Sequence, residues 1–297
     1  MNSDNRKPKF TKPKKIILIP FIIILIIWIS LFTIIKHNSN NTEVVASENE
    51  LGTSYYLQLK DDPNADDALI VSKFMNDLYK GYKQYPVRND RKKVVYLTFD
   101  DGPSTTNTPA LLKVLDKHKI KATFFVTGVS LNANDEAKEL LKEIATNGHA
   151  IGNHTYSHNY HYLYPSRTIN VDHVIDDLHK NEKLMQSILG KDFFTRIIRL
   201  PGGYRTWNGK EALKNKLNEL EIQNIDWNAL NGDAEGKKKN AQELVMYLKK
   251  TVKKLGEDAD NIVVLMHDAY GKDETVKALP QIIKYFKDKG FEFKTIK

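Results

Sequence analysis

Cysteine is absent from this sequence of 297 residues. The chain therefore has no disulfide framework and no thiol nucleophile, and any metal site must use nitrogen and oxygen ligands. Hydrophobic residues make up 41% of the chain and charged residues 28%, which is ordinary for a globular protein. The lack of cysteine excludes thiol-based catalysis, but it does not by itself assign a compartment.

An excess of charge is also absent from most of the chain. The net charge of +8 falls to +2 once the first 36 residues, which carry seven cations and one acid, are set aside. Beyond this tail no basic surface is indicated, so we expect no nucleic-acid partner. No sequence feature identifies a protein partner.

Long apolar runs are absent apart from residues 16–35, twenty residues without a charge. At about 1.5 Å per residue this run spans a hydrocarbon core of ~30 Å and predicts a transmembrane anchor. The cations of residues 1–15 place that tail in the cytoplasm and the rest of the chain outside the cell membrane. The alternative is a cleaved signal peptide, which is disfavoured because KHNSNN follows the run instead of small residues.

Residues 36–90 are predicted to form a stalk that contains a short amphipathic helix at 65–82, and residues 91–297 a domain. In this domain, strand-like segments alternate with helix-like segments. The predicted strands are 94–99, 122–127, 150–154, 196–200, 222–227, 262–267 and 291–295. Seven strands alternating with six helices predict a mostly parallel sheet with helices outside it.

Residues able to carry chemistry follow the ends of these predicted strands. They are Asp100, Asp101, His154, His158, Arg199, Asp233 and His267. The outer strands of an open doubly wound sheet would hold such residues far apart, whereas the strand ends of a barrel meet at one mouth. We therefore predict an α/β fold, a (β/α) barrel of seven strands that is imperfectly closed.

The segment HTYSH presents His154 and His158 to one point if it coils into a turn. Two surface histidines are the alternative interpretation, but a nearby acid favours a catalytic metal site with two histidines and one aspartate. Nitrogen and oxygen ligands suit one Zn²⁺ ion best, while Co²⁺, Ni²⁺ and Fe²⁺ also fit. His161 lies in a tyrosine-rich loop and is interpreted as a bystander.

Asp100 and Asp101 are adjacent at a strand end, and adjacent side chains of an extended chain face opposite sides. One acid can therefore bind the metal while the other acts as a base. Arg199 is the candidate to keep that base ionised, unless it forms a purely structural salt bridge. The spacing alone does not decide which acid has which role.

Two further groups are suited to hydrolysis, the backbone of the LPGG segment and the side chain of His267. The LPGG segment after Arg199 exposes backbone N–H groups that can stabilise an oxyanion. His267 can act as a general acid if Asp233 keeps it protonated, although a lone histidine after a buried strand is more often a packed core residue. Together these groups predict metal-assisted hydrolysis of an amide or ester, because phosphate esters would need more cations or a second metal.

The segments TFDDGPS, HTYSH, RLPGG and LMH occur in this order and resemble the motifs of the polysaccharide deacetylases, the NodB-homology family of carbohydrate esterases. The resemblance covers residues 92–297. It extends to the membrane-anchored peptidoglycan N-acetylglucosamine deacetylases of that family. It implies a distorted (β/α) barrel and removal of N-acetyl groups from amino sugars. Four motifs in order within one domain are a far more specific signal than any one of them.

The resemblance also implies a role for each matching residue. Asp100 would be the base, Arg199 the residue that orients it, and His267 the acid, with Asp233 as its partner. The metal ligands would be Asp101, His154 and His158. The N–H of Gly202 would be the oxyanion donor, and Leu265 would line the pocket for the acetyl methyl group.

Two motifs depart from the family pattern. WNALNGDA has Leu230 and Ala234 where the family has its first acid and a tryptophan. The groove wall at Ala234 is therefore either smaller or filled by another side chain, with Trp227 or Trp207 as the candidates. Gly202 also stands where a bulkier residue is common. Both departures affect substrate specificity more than chemistry.

The predicted function is metal-dependent deacetylation of an extracytoplasmic polysaccharide, with peptidoglycan N-acetylglucosamine as the expected substrate. The alternatives are deacetylation of an exported poly-N-acetylglucosamine or another acetylated polymer, including O-acetyl ester hydrolysis. A catalytically silent glycan-binding wall protein is the alternative from another class, but the presence of base, metal ligands, arginine and acid disfavours it.

Overall fold

The computed structural model describes residues 56–81 and 88–297. The predicted cytoplasmic tail (1–15), the anchor (16–35) and the polar part of the stalk lie outside the described residues, so those expectations stay predictions. In the part that is described, no helix has the length and apolar character needed to cross a membrane.

Short strands and longer helices alternate through the described chain. The strands are β1 (Ala65–Asp66), β2 (Val94–Asp100), β3 (Thr123–Val126), β4 (Ala150–Asn153), β5 (Ile197–Ile198), β6 (Gln223–Asn224), β7 (Ala229–Leu230), β8 (Asn261–His267), β9 (Glu292–Phe293) and β10 (Thr295–Ile296). The helices are α1 (Ala68–Tyr79), α2 (Thr108–His118), α3 (Gly128–Leu131), α4 (Asp135–Thr146), α5 (Tyr160–Leu163), α6 (Val171–Leu189), α7 (Lys210–Glu219), α8 (Ala241–Lys254) and α9 (Asp273–Asp288).

The main sheet is parallel and runs in the order β6-β5-β4-β3-β2-β8-β7, with β9 paired to the first residues of β2. It curls into a half-barrel with helices outside it. Strands β6 and β7 end the sheet and are not paired with each other in the described chain, which agrees with imperfect closure. A second, two-stranded parallel sheet joins β1 to β10.

The predicted count of seven strands was wrong, because the main sheet of the described chain has eight. The predicted strand 222–227 shortens to β6, and β7 follows it unpredicted. Between them Asn228 bonds through its side chain to the backbone of β8, with Nδ2 donating to Asn261 O (3.0 Å) and Oδ1 accepting from Val263 N (2.8 Å). An asparagine that satisfies backbone groups in this way interrupts a strand. The predicted last strand is likewise divided into β9 and β10.

Strand β2 is buried along its whole length and separates two parts of the core. Val95, Leu97 and Phe99 belong to the large cluster that includes the apolar faces of α2, α4, α8 and α9. Val94 and Tyr96 face the other way, into a smaller cluster. This alternation follows from the two-residue period of a strand.

Helix α1 packs its apolar side, Ala68, Val71 and Met75, into the smaller cluster with Val94 and Tyr96. The helix predicted at 65–82 therefore exists over Ala68–Tyr79, and it packs against the sheet as the sequence indicated. The domain limit proposed at residue 91 stays a prediction.

Met75→Ala should lower the free energy of unfolding by about 2–5 kcal/mol, because truncating a buried methionine removes apolar contact and leaves a cavity. Met246→Ala, at a side chain of α8 that is 56% exposed, is the matched control and should change stability by less than about 0.5 kcal/mol. Chemical denaturation of the purified protein measures both values. Equal effects of the two substitutions would contradict the packing of α1 on the sheet.

Candidate active site

The carboxyl ends of the parallel strands bring the candidate residues to one rim. Asp100 and His267 are the last residues of β2 and β8, which pair in register at these two positions. His154 and Arg199 directly follow β4 and β5, and Asp233 follows β7. The fold thus collects at one edge the groups that the sequence spreads over more than half of its length.

The two adjacent acids face different partners. Asp100 is 2% exposed, and its Oδ1 accepts a hydrogen bond from Arg199 Nη1 at 2.7 Å. Asp101 has a φ of +73°, a left-handed conformation that turns the chain out of β2. Its Oδ1 lies 3.3 Å from His154 Nε2 and 3.2 Å from His158 Nε2. The structure therefore places Asp100 with the arginine and Asp101 with the histidines.

The donor atoms of Asp101, His154 and His158 all lie within 4.8 Å of one another. Asp101 Oδ1 is buried and has no hydrogen-bond partner among the described residues. His154 Nδ1 donates to Arg199 O at 2.7 Å, which leaves Nε2 free to act as a ligand. An orphaned carboxylate oxygen between two imidazole nitrogens fits a divalent cation, and the donor set suits zinc.

The backbone conformation of the HTYSH segment brings His154 and His158 together. Thr155 and His158 both have positive φ, +66° and +49°, so the backbone coils tightly after β4. The N–H of His158 donates to Thr155 Oγ1 at 3.2 Å. Burial acts to raise the pKa of Asp101, but the neighbouring imidazoles outweigh burial and lower the pKa, so the carboxylate is ionised at neutral pH.

Arg199 is 0% exposed and uses its guanidinium to fix Asp100. Besides Asp100, Nη1 donates to Thr98 Oγ1 at 2.7 Å, and Nε donates to Ile225 O at 2.8 Å. Its carbon Cζ lies 4.1 Å from the centre of the Phe125 ring. Sequence reasoning missed Thr98, although the two-residue period of β2 puts Thr98 on the same face as Asp100.

His267 and Asp233 form a close pair. His267 Nδ1 donates to Asp233 Oδ1 at 2.7 Å, and the His267 backbone N–H donates to Oδ2 at 3.0 Å. Thr275 Oγ1 also donates to Oδ2, at 2.7 Å. Burial acts to lower the pKa of His267, but the hydrogen bond and charge of Asp233, followed by the charges of Asp101 and Asp100, raise it to about 9. The imidazole is therefore held protonated at neutral pH, as the sequence predicted for an acid.

The loop after Arg199 offers a free backbone donor at Gly202. Its φ of +75° is a left-handed conformation, and its N–H makes no hydrogen bond within residues 56–81 and 88–297. The preceding Pro201 is held by Trp207, whose Nε1 donates to Pro201 O at 2.9 Å. Trp207 in turn stacks on Tyr164 with ring centres 4.1 Å apart.

The predicted substrate-lining residues separate into two regions. Leu265, 7% exposed, lies on β8 two residues before His267. Trp227 is half-buried and lines a cleft of about 520 Å³ together with Gly202 and Gly203. A substrate could therefore reach the candidate oxyanion donor from the side of Trp227.

The expectation that Trp227 or Trp207 completes the wall beside Ala234 was wrong. In the described chain, Ala234 lines a separate cavity of about 350 Å³, whose other lining residues are Asp233, Gly236, Lys237, Lys238, Lys239, Leu244, Gly271, Lys272, Glu274 and Thr275. Trp207 is held by its contacts with Pro201 and Tyr164, and the Trp227 carbonyl accepts a hydrogen bond from the Tyr79 hydroxyl. Neither tryptophan lines that cavity.

Three further residues lie near the rim. His161 is exposed, in agreement with its interpretation as a bystander. Asp268 is fully buried and packs against Gly102, where an added Cβ would lie 2.1 Å from Asp268 Oδ2, so only glycine fits there. Tyr160, which sequence reasoning did not single out, lies beside His158 with ring centres 5.4 Å apart.

The arrangement combines a carboxylate held by an arginine, a cation site, a free backbone donor and a protonated imidazole at one rim. The base and the cation ligand are adjacent in sequence, and His267 Nε2 lies 4.0 Å from Asp101 Oδ2. Such a set can add water to a carbonyl carbon and protonate the leaving group, which is the chemistry of amide or ester hydrolysis.

Comparison with known proteins identifies the same chemistry. The family model of polysaccharide deacetylase matches residues 87–225. A peptidoglycan-N-acetylglucosamine deacetylase of Bacillus cereus is 32% identical over 225 residues, which cover 73% of this chain and 92% of that protein.

Solved structures agree with the sequence relatives. A Streptococcus mutans CE4 esterase superposes with a TM-score of 0.70 at 35% identity, covering 79% of this chain and 92% of that one. The catalytic domain of a peptidoglycan N-acetylglucosamine deacetylase from Eubacterium rectale gives a TM-score of 0.60 at 31% identity, covering 71% and 91%. This chain therefore belongs to the polysaccharide deacetylase family and is a hydrolase that acts on N-acetyl amide bonds.

Proposed function

We propose that the protein is a membrane-anchored, metal-dependent deacetylase that removes acetyl groups from N-acetylglucosamine of peptidoglycan outside the cell membrane. The observation that carries the proposal is the cluster of Asp101, His154 and His158 beside an Asp100 that is held by Arg199. The substrate is supported by relatives named as peptidoglycan-N-acetylglucosamine deacetylases, and the location by the apolar run at residues 16–35.

Asp101, His154 and His158 would hold the cation, with Zn²⁺ favoured by the mixed nitrogen and oxygen donors. When bound there, a divalent cation supplies positive charge that polarises the acetyl carbonyl and lowers the pKa of a water molecule. The protein holds the ligand set rigid, because His154 is oriented by Arg199 O and His158 by the turn at Thr155.

Asp100 acts as the base that takes a proton from the attacking water. The guanidinium of Arg199 donates a hydrogen bond to Asp100 Oδ1 at 2.7 Å and so fixes the direction of the carboxylate. Oδ2 remains on the side of the cation cluster, 3.7 Å from His154 Nε2. The free oxygen of Asp100 is therefore next to the place where the water reacts.

His267 donates a proton to the nitrogen that leaves the acetyl carbon. Asp233 stabilises the imidazolium until that transfer, and Thr275 fixes the second oxygen of Asp233. The Gly202 N–H supports the negative charge that develops on the acetyl oxygen, and Leu265 lines the space for the methyl group. The products are acetate and a free amine on the sugar.

The purified protein should release acetate from N-acetylated muropeptides, and a chelator should abolish the release because the cation is required. Enzymatic acetate quantification measures this, with re-addition of Zn²⁺ as the control that restores activity. Faster release from soluble N-acetylglucosamine oligomers or from an O-acetylated polymer would favour the alternative substrates. No chelator-sensitive release from any acetylated sugar polymer would contradict the proposal.

Asp100→Asn should lower turnover by about 10²–10⁴-fold while the metal stays bound, because it removes the base and not a ligand. Asp101→Asn should instead lose the metal, because it removes a charged ligand. Metal content by mass spectrometry and acetate release, measured on both variants, separate the two roles. Loss of metal in Asp100→Asn with retention in Asp101→Asn would reverse the assignment.

Asp233→Asn should move the alkaline limit of activity to lower pH by on the order of one pH unit or more. The raised pKa of His267 keeps its proton in place at neutral pH and releases it as the pH rises toward about 9. A bound cation opposes the charges of Asp101 and Asp100, so the Asp233 contact is the contribution that persists in the metal-loaded enzyme. A pH–rate profile of kcat measures the change, with Asp288→Asn on the exposed end of α9 as control. An unchanged alkaline limit would exclude His267 as the acid.

A further inference from the structure

Tyr160 begins the short helix α5, two residues after the candidate metal ligand His158. Its ring lies 5.4 Å from the His158 imidazole and 5.3 Å from the Trp207 ring, measured between ring centres. The side chain is 43% exposed, so one side of it is open to a ligand. The helix start is fixed by Asn159, whose Oδ1 accepts from the N–H groups of His161 and Tyr162 at 3.0 and 3.2 Å.

The hydroxyl of Tyr160 lies in the space that a side chain at position 202 would take. A Cβ added to Gly202 would be 3.3 Å from the Tyr160 hydroxyl oxygen and 3.1 Å from the Trp207 ring. Glycine at position 202 therefore leaves room for Tyr160, and the phenol takes over a place beside the candidate oxyanion donor.

The hydroxyl is also free to bind a ligand. Two other tyrosines of this region use theirs within the protein: Tyr204 donates to Lys210 O at 2.8 Å, and Tyr79 donates to Trp227 O. The hydroxyl of Tyr164 also lacks a partner in the described chain, but it is buried, whereas Tyr160 is exposed. Within residues 56–81 and 88–297, the Tyr160 hydroxyl makes no hydrogen bond, and neither does the N–H of Gly202. Two free donors thus lie side by side at the rim.

We propose that Tyr160 is a second oxyanion donor, whose hydroxyl binds the acetyl oxygen together with the Gly202 N–H. The position between His158 and Gly202 favours this role over a contact with a distant sugar hydroxyl, because the acetyl oxygen must lie between the cation site and Gly202. The inference rests on the proposed function in so far as the reacting group is an acetyl carbonyl.

The reaction balances without a proton from tyrosine. Water adds to the acetyl carbon and gives a proton to Asp100, the C–N bond breaks, and His267 gives a proton to the leaving amine. Tyr160 keeps its own proton throughout and contributes a hydrogen bond that strengthens as charge develops on the oxygen.

The test compares Tyr160→Phe with Tyr162→Phe in the zinc-loaded protein. Tyr162 is a matched control, since it is 39% exposed in the same helix but stacks on His173, away from the rim.

Two substrates are used, an N-acetylglucosamine tetramer and 4-nitrophenyl acetate, because the ester forms the same oxyanion without any sugar. Tyr160→Phe should lower kcat about 10- to 100-fold on both substrates with KM within about 3-fold, and Tyr162→Phe should stay within about 2-fold of wild type.

Several results would overturn the inference. The first is equal activity of the two variants. The second is a rise of KM on the tetramer alone, which would indicate a sugar contact. The third is loss of zinc from Tyr160→Phe, which would indicate an effect through His158. Failure of the proposed function looks different, since the wild type would then hydrolyse the ester but release no acetate from muropeptides.

Binding of acetate supplies a readout that does not need turnover. An oxygen of the product should occupy the place of the acetyl oxygen, so Tyr160→Phe should weaken acetate binding to the zinc-loaded protein by about 5-fold in calorimetry. Equal affinity of wild type and variant would contradict the inference.

Discussion

The buried ion pair between Arg199 and Asp100 is the contact on which the candidate site depends. Removing one partner of such a pair leaves an uncompensated charge in the interior, which costs about 3–5 kcal/mol. Arg199 avoids that cost through Thr98, Ile225 O and Asp100, so that its guanidinium has one orientation. Its carbonyl oxygen meanwhile accepts from His154. One residue therefore orients both the proposed base and a proposed metal ligand, and neither can shift without the other.

This arrangement explains why two like charges can be adjacent at the end of β2. The period of the strand directs Asp100 to the inner face, where the arginine balances its charge. The left-handed backbone at Asp101 turns the next carboxylate toward the histidines, where a cation would balance it. Repulsion between the two acids is thus offset on both sides, and the short distance between base and cation site follows from the covalent link between neighbouring residues.

Much of this could be predicted from the sequence because it depends on local spacing. Parallel strands end at one rim, so the sequence predicts that Asp100, His154 and His267 converge there. Features that depend on distant contacts could not be predicted. Strand β7 exists through pairing with β8, and the place of the Tyr160 hydroxyl follows from the absence of a side chain at Gly202. The cavity beside Ala234 likewise could not be predicted, because it forms where the loop at residues 233–239 meets Glu274 and Thr275 of α9, which are distant in the sequence.

We propose that Asp101 binds the cation while Asp100 stays hydrogen-bonded to Arg199. A crystal structure of the zinc-loaded protein with bound acetate measures this most directly. We expect zinc on Asp101, His154 and His158, with Asp100 hydrogen-bonded to Arg199 and absent from the coordination sphere. Zinc coordinated by Asp100, with the contact to Arg199 broken, would contradict it.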